Sequence, residues 1–127
     1  MRISSAKDLI VYQKAFELAI LSFELTLRFP KEEIYALTSQ LRRSSRSICL
    51  NLREAWAKRR YLAHFISKLT DCDGEANETD SSLDFALAHG YITKEQHARA
   101  IGLCSEVGKM LGAMIRNPEP FLIAGQA

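Results

Sequence analysis

From Leu62 to Ala86 the chain reads LAHFISKLTDCDGEANETDSSLDFA. Leu62, Phe65, Leu69, Cys72, Ala76, Thr79, Leu83 and Ala86 follow one another in unbroken alternating steps of three and four. That is the repeat of about 3.5 residues by which helices pack with a left-handed supercoil, so the stretch predicts one long helix with a single apolar seam. A lone amphipathic helix of this kind must bury its seam against others.

The neighbouring segments supply those partners. Leu37, Leu41, Ser44, Ile48, Asn51 and Ala55 repeat the same steps upstream, and Ile101, Cys104, Gly108, Leu111 and Ile115 do so downstream. Stop signals divide the chain into helices over about 6–29, 32–58, 61–89 and 94–116. Ser5 and Asp8 make an S-x-x-D capping box, and Thr93 and Gln96 make a T-x-x-Q box. Pro30 closes the first helix, Gly90 caps the third, and Asn117-Pro118 ends the fourth ahead of an irregular tail. Short connections between long helices imply antiparallel neighbours. The expectation is an all-α, left-handed, up-and-down antiparallel four-helix bundle, one domain over 1–127.

The first helix carries more apolar surface than a bundle needs. Of the 21 residues from Leu9 to Phe29, 14 are apolar, while Gln13, Glu17, Glu24 and Arg28 share one narrow polar stripe. A core-facing helix uses an apolar arc of roughly 100°. The surplus, centred on Phe16, Phe23 and Leu27, predicts a contact with another subunit.

Charge is segregated rather than excessive. The net charge is only +2. Between Arg42 and Arg60 lie seven bases and one acid, Glu54, and between Asp71 and Asp84 lie six acids and no base. At 100° per residue Arg42, Arg46, Arg53 and Arg60 form a row opposite the helix 2 seam. An exposed arginine row suits phosphate, because the guanidinium fork donates two hydrogen bonds to it. Arg43 is instead expected to pair with Glu75 and Glu78, just off the helix 3 seam. Gln40 and Asn51 lie near the helix 2 seam and read as amides that fix register. Trp56 reads as a core-edge or interface residue, with stacking on a base as the alternative.

Catalytic and metal-binding classes find little support. His64, His89 and His97 are isolated, and no Glu-x-x-His occurs, as a di-metal carboxylate bundle would need. Cys49, Cys72 and Cys104 are too scattered for a zinc site or a disulfide framework. A non-enzyme without a cofactor is expected. The start, Met1 to Asp8, lacks the apolar run of a secretory leader, and Lys14, Glu17 and Glu24 interrupt the apolar stretch that follows. A cytoplasmic location, away from membranes, is the expectation.

Several short motifs occur together and in order: Asp8-Leu9-x-Val11-Tyr12-Gln13-Lys14-Ala15, Phe29-Pro30-x-x-Glu33-x-Tyr35-x-Leu37, and Gln40-Leu41-Arg42-Arg43-Ser44. Ser47-Ile48-x-x-Asn51, Glu54, Glu75-Ala76-Asn77-Glu78-Thr79-Asp80, Leu83 and Gly90-Tyr91-Ile92 follow. Over about residues 8–115 the chain thereby resembles the four-helix bundle proteins met in intervening sequences of bacterial 23S ribosomal RNA genes. The resemblance implies a left-handed bundle assembled into a homo-oligomeric ring, commonly a pentamer. A related protein, the accessory variability determinant of diversity-generating retroelements, works with a reverse transcriptase and RNA, which implies RNA or DNA and a polymerase-like protein as partners. At the end of helix 2 this chain departs from the family's Asn-Ile-Ala-Glu-Gly, reading Asn51-Leu52-Arg53-Glu54-Ala55-Trp56. Two functions are open on these grounds. One is a nucleic-acid-binding adaptor using the arginine row; the other is a protein-interaction module whose charge rows hold subunits together.

Overall fold

The seam that begins near Leu62 organises the molecule. A computed structural model describes residues 3–123. Among them are four long helices, α1 (Ile10–Thr26), α2 (Leu37–Ala57), α3 (Leu62–Ala88) and α4 (Lys94–Arg116), with no strand. They form a helical bundle in which α2 packs on α3, α3 on α4, and α1 on both α2 and α4.

On α3, the seam residues Phe65, Leu69, Cys72, Thr79, Leu83 and Ala86 are fully buried and Ala76 nearly so. Leu62, at the helix end, is exposed instead. The last turn of α3 is a Schellman cap: Tyr91 N–H donates to the Ala86 carbonyl and Gly90 N–H to that of Leu87. Gly90 stands at φ 76°, the left-handed conformation that glycine adopts without a Cβ penalty. The Thr93–Gln96 box opens α4, with both of its reciprocal bonds formed.

The seam on α4 is rotated from its expected line. Ala100, Leu103, Val107 and Met114 are buried beside Cys104 and Leu111, while Ile101, Gly108 and Ile115 are only half-buried. Two adjacent ladders with steps of three and four run through this stretch, and contact with α1 as well as α3 chose between them.

Two helix starts are corrected. The Ser5–Asp8 box is present, but it caps a 3-10 turn over Ala6–Asp8 rather than α1. Leu9, buried and extended at φ −72°, ψ 135°, interrupts the chain, so α1 begins at Ile10. Helix 2 starts at Leu37 rather than near 32, because Lys31–Glu33 forms a separate 3-10 turn. Glu33 holds that junction: its carboxylate accepts from Leu37 N–H at 3.2 Å and from the Tyr91 hydroxyl at 2.8 Å. One side chain thus caps α2 and ties it to the α3–α4 turn. Glu119–Phe121 adds a 3-10 turn in the tail expected to be irregular, of which 124–127 lie outside the described residues.

Candidate interaction face on the first two helices

Helix α1 presents two seams. Val11, Ala15, Leu18, Ser22 and Leu25 are buried in steps of four and three. Phe16, Ile20, Phe23 and Leu27 follow the same steps on nearly the opposite side, and all four are exposed, Phe16 by 52% and Leu27 by 63%. Phe16, Phe23 and Leu27 lie where the surplus apolar surface was expected. Ile20 was missed, although its place four after Phe16 and three before Phe23 completes the heptad pattern. Within the chain, arginines of α2 lie over the Phe23 ring and Tyr12 stacks beside Phe16, yet all four side chains stay more than a third exposed.

The arginines of α2 sort onto different neighbours. Arg42 was expected in an outward row, but it is half-buried against α1. Its Nε donates to Thr26 Oγ1 at 2.8 Å and its guanidinium lies 4.7 Å from the centre of the Phe23 ring. Arg46 lies 5.8 Å from the same ring. The row therefore borders the apolar seam of α1 instead of standing apart from it. Arg53 continues along that edge and is exposed, as is Arg60. Arginine over an aromatic face gains cation–π attraction while its far side stays available for an anion.

Arg43, one residue beyond Arg42, turns the other way. Its Nη1 donates to Glu75 Oε2 at 2.9 Å and its Nη2 to Glu78 Oε1. Those two bonds hold the guanidinium pKa above its ordinary value. Burial favours the neutral form of Glu75, yet hydrogen bonds from Ser47 and Arg43 outweigh it and hold the carboxyl below its ordinary range. Beneath this pair, Ser44 Oγ and Thr79 Oγ1 share a buried hydrogen bond at 2.8 Å, pinning α2 to α3.

Asn51 is half-buried and bridges: its Nδ2 donates to Ser47, and its Oδ1 accepts from Lys68 Nζ at 3.2 Å. Lys68 also meets Glu54 at 3.0 Å. Gln40, expected beside the seam, is exposed; one position before Leu41 places it about 100° around the helix, outside the core arc. Trp56 is half-buried against the core, with the Arg59 guanidinium stacked 3.6 Å from its ring centre. Sequence reasoning passed over Arg59, whose fork closes the far side of the indole; burial there lowers its pKa.

Burial pushes the thiols of Cys49, Cys72 and Cys104 up to about 11, 12 and 12. At neutral pH they remain thiols, which are poor nucleophiles. His97 bonds Asp84 at 2.8 Å across the α3–α4 junction. Among the described residues no group of three or more His, Cys, Asp or Glu side chains is placed to hold a metal. No helix described is long and apolar enough to cross a membrane.

Four helices packed as a bundle, with an exposed apolar seam edged by arginines, define the class: a small helical-bundle protein. The family model described as 23S rRNA-intervening sequence protein matches residues 7–113, and the chain belongs to that family. Among solved structures, it is similar to a protein of unknown function from the S23 ribosomal protein family of Bacteroides thetaiotaomicron. The two are 31% identical with a TM-score of 0.77, over 85% of this chain and 100% of that one. No curated protein matches the chain.

Proposed function

We propose that the protein is a non-enzymatic assembly module whose copies associate through the outer seam of α1, with the α2 arginines at the edge of that contact. The observation that carries this reading is the second heptad ladder of Phe16, Ile20, Phe23 and Leu27, left exposed in the single chain. Four large apolar side chains in one row form a patch that soluble monomers seldom expose. The resemblance implies a ring of five, and such a ring is the form proposed here. Light scattering at low micromolar concentration should give several times the mass of one chain. A monomer under those conditions overturns the proposal.

A second reading makes the assembled protein a holder of RNA or DNA, with a polymerase-like protein as a further partner. One placement favours it: Arg53 on α2, and Lys58 and Arg60 in the turn that follows it, are exposed and away from the Arg43–Glu75–Glu78 cluster. The family name, which refers to the 23S ribosomal RNA gene, points the same way. Three cations on one copy bind weakly at physiological salt, but a ring multiplies them and gains avidity. Affinity should then be sequence-tolerant and fall steeply as salt rises, because phosphate contacts release counterions. Anisotropy titrations at two salt concentrations test this. Arg46, Arg53 and Arg60 changed together to Ala should weaken binding and flatten the salt slope, with oligomer mass measured alongside because Arg46 and Arg53 also edge the proposed contact; no binding by the intact oligomer at low salt excludes the reading.

A further inference from the structure

The outer seam of α1 needs an occupant with apolar tolerance, matching spacing and acidic edges. We infer that the occupant is the outward face of α3 on a second copy of this chain, so that contact is head-to-tail and repeats around a ring. This inference rests on the self-assembly reading above.

Spacing comes first. On the side of α3 away from the core, Thr70, Gly74, Asn77 and Ser81 are exposed and advance by four, three and four. Phe16, Ile20, Phe23 and Leu27 advance by the same steps. Small side chains facing large ones let two helices approach closely. Nothing in its own chain crowds Gly74: a Cβ built there meets nothing within 4 Å. Glycine inside a helix is otherwise unfavourable relative to alanine.

Heights agree as well. Thr26 beside Arg42 fixes α1 against α2, and Ser44 beside Thr79 fixes α2 against α3. Carried through α2, these pairings place Phe16, Ile20, Phe23 and Leu27 level with Thr70, Gly74, Asn77 and Ser81 to within about one helical turn, roughly 5.4 Å. A copy rotated about an axis parallel to the helices keeps every residue at its own height, so the large row of one copy meets the small row of the next.

Charge supplies the third match. Arg46 and Arg53 edge the α1 seam on its α2 side, seven residues apart. Asp71 and Glu78 edge the α3 face, also seven apart, and Glu78 marks its α2 side by bonding Arg43. By the same heights, Arg46 lies level with Glu78 of the next copy and Arg53 with Asp71. Among the described residues neither arginine has a carboxylate partner in its own chain. A contact between two different faces of one chain is head-to-tail, and it closes into a ring when the rotation between successive copies divides a full turn. The outer face of α4 fits less well: Ala98, Gly102 and Ser105 are followed by Lys109, a cation where the arginines require acids.

Cysteine cross-linking tests this in the full chain. Ile20→Cys and Gly74→Cys variants, co-expressed and mildly oxidised, should form a disulfide with each other, and neither should cross-link when expressed alone. The native cysteines are buried, so the parent should remain uncross-linked. Gly74→Leu should abolish assembly while leaving helical circular dichroism intact, since nothing in its own chain crowds the site. Arg53→Glu should disperse the assembly, and adding Asp71→Arg should restore it. Self-cross-linking of Ile20→Cys, as a two-fold contact would give, overturns the inference, as does assembly by Gly74→Leu. An oligomeric parent whose two cysteine variants form no link with each other overturns this inference alone, whereas a monomeric parent overturns the assembly reading too.

Discussion

Helices α1 and α3 are both long, and both carry a heptad seam into the core, but their outward faces are opposites. From Thr70 to Ser81 that of α3 is small and polar, with acids along its edges and an exposed Phe85 one turn further on; that of α1 is large and apolar, bordered by arginines from α2. One face is content in water and the other is not. The difference separates residues that hold a single chain together from residues whose partner lies outside it, and mutations at the two should behave differently.

The inner seam should respond most. Leu69 and Leu83 are wholly buried, so either one changed to Ala should cost about 2–5 kcal/mol in denaturant unfolding. A loss well below that at both positions would mean the α3 core is loosely packed. The outer seam should respond in mass and not in fold. Phe16 and Phe23 changed together to Ser should weaken assembly at least about tenfold, equivalent to roughly 1.4 kcal/mol, while monomer helicity is unchanged. Loss of helicity in that double variant would move the outer seam into the folding core and erase the contrast.

A smaller effect sharpens the comparison on α2. Arg43 serves its own chain, and its ion pairs are partly solvent-exposed, so Arg43→Ala should cost about 1 kcal/mol or less. Glu78→Ala should be non-additive with it in a double-mutant cycle. The pH dependence follows from Glu75. Its folded pKa lies below the ordinary 4.5, so its contribution is present above that value and is lost as pH falls through the folded one. Acid unfolding curves should therefore show a decline below about pH 4 that Arg43→Ala flattens; identical curves would remove the coupling.

The smallest effect concerns Ser22, on the inner seam of α1. Its hydroxyl is wholly buried and without a hydrogen-bond partner among the described residues. Ser22→Ala removes an unsatisfied polar group, so stability should be unchanged or rise by about 1 kcal/mol. A clear loss would reveal a hydrogen bond formed by that hydroxyl, within the chain or across the contact.

Much of the bundle was readable in the chain. Local rules decide caps and periodicity: Gly90 ends α3 because only glycine takes the left-handed turn freely, and Thr93–Gln96 opens α4 through bonds within one turn. The α3 seam was legible because its residues offer only one continuous ladder. Helix α4 offered two, and its neighbours chose. Leu9 shows the same limit, since an extended residue between a capping box and an apolar run is invisible to pattern and arises from burial of its side chain.

The interaction face divides in the same way. Surplus apolar surface on Phe16, Phe23 and Leu27 could be counted from the sequence, because a bundle helix needs only a narrow apolar arc. The pairing of Arg43 with Glu75 and Glu78 also followed, from seams set by period alone. Where Arg42 and Arg46 end could not be counted. Periodicity fixes a residue's angle on its own helix, but not how far a long side chain bends or which neighbouring helix stands within reach. Tertiary packing brought α1 alongside α2, laid both guanidinium groups against Phe23, and so joined an apolar seam and an arginine row into one face.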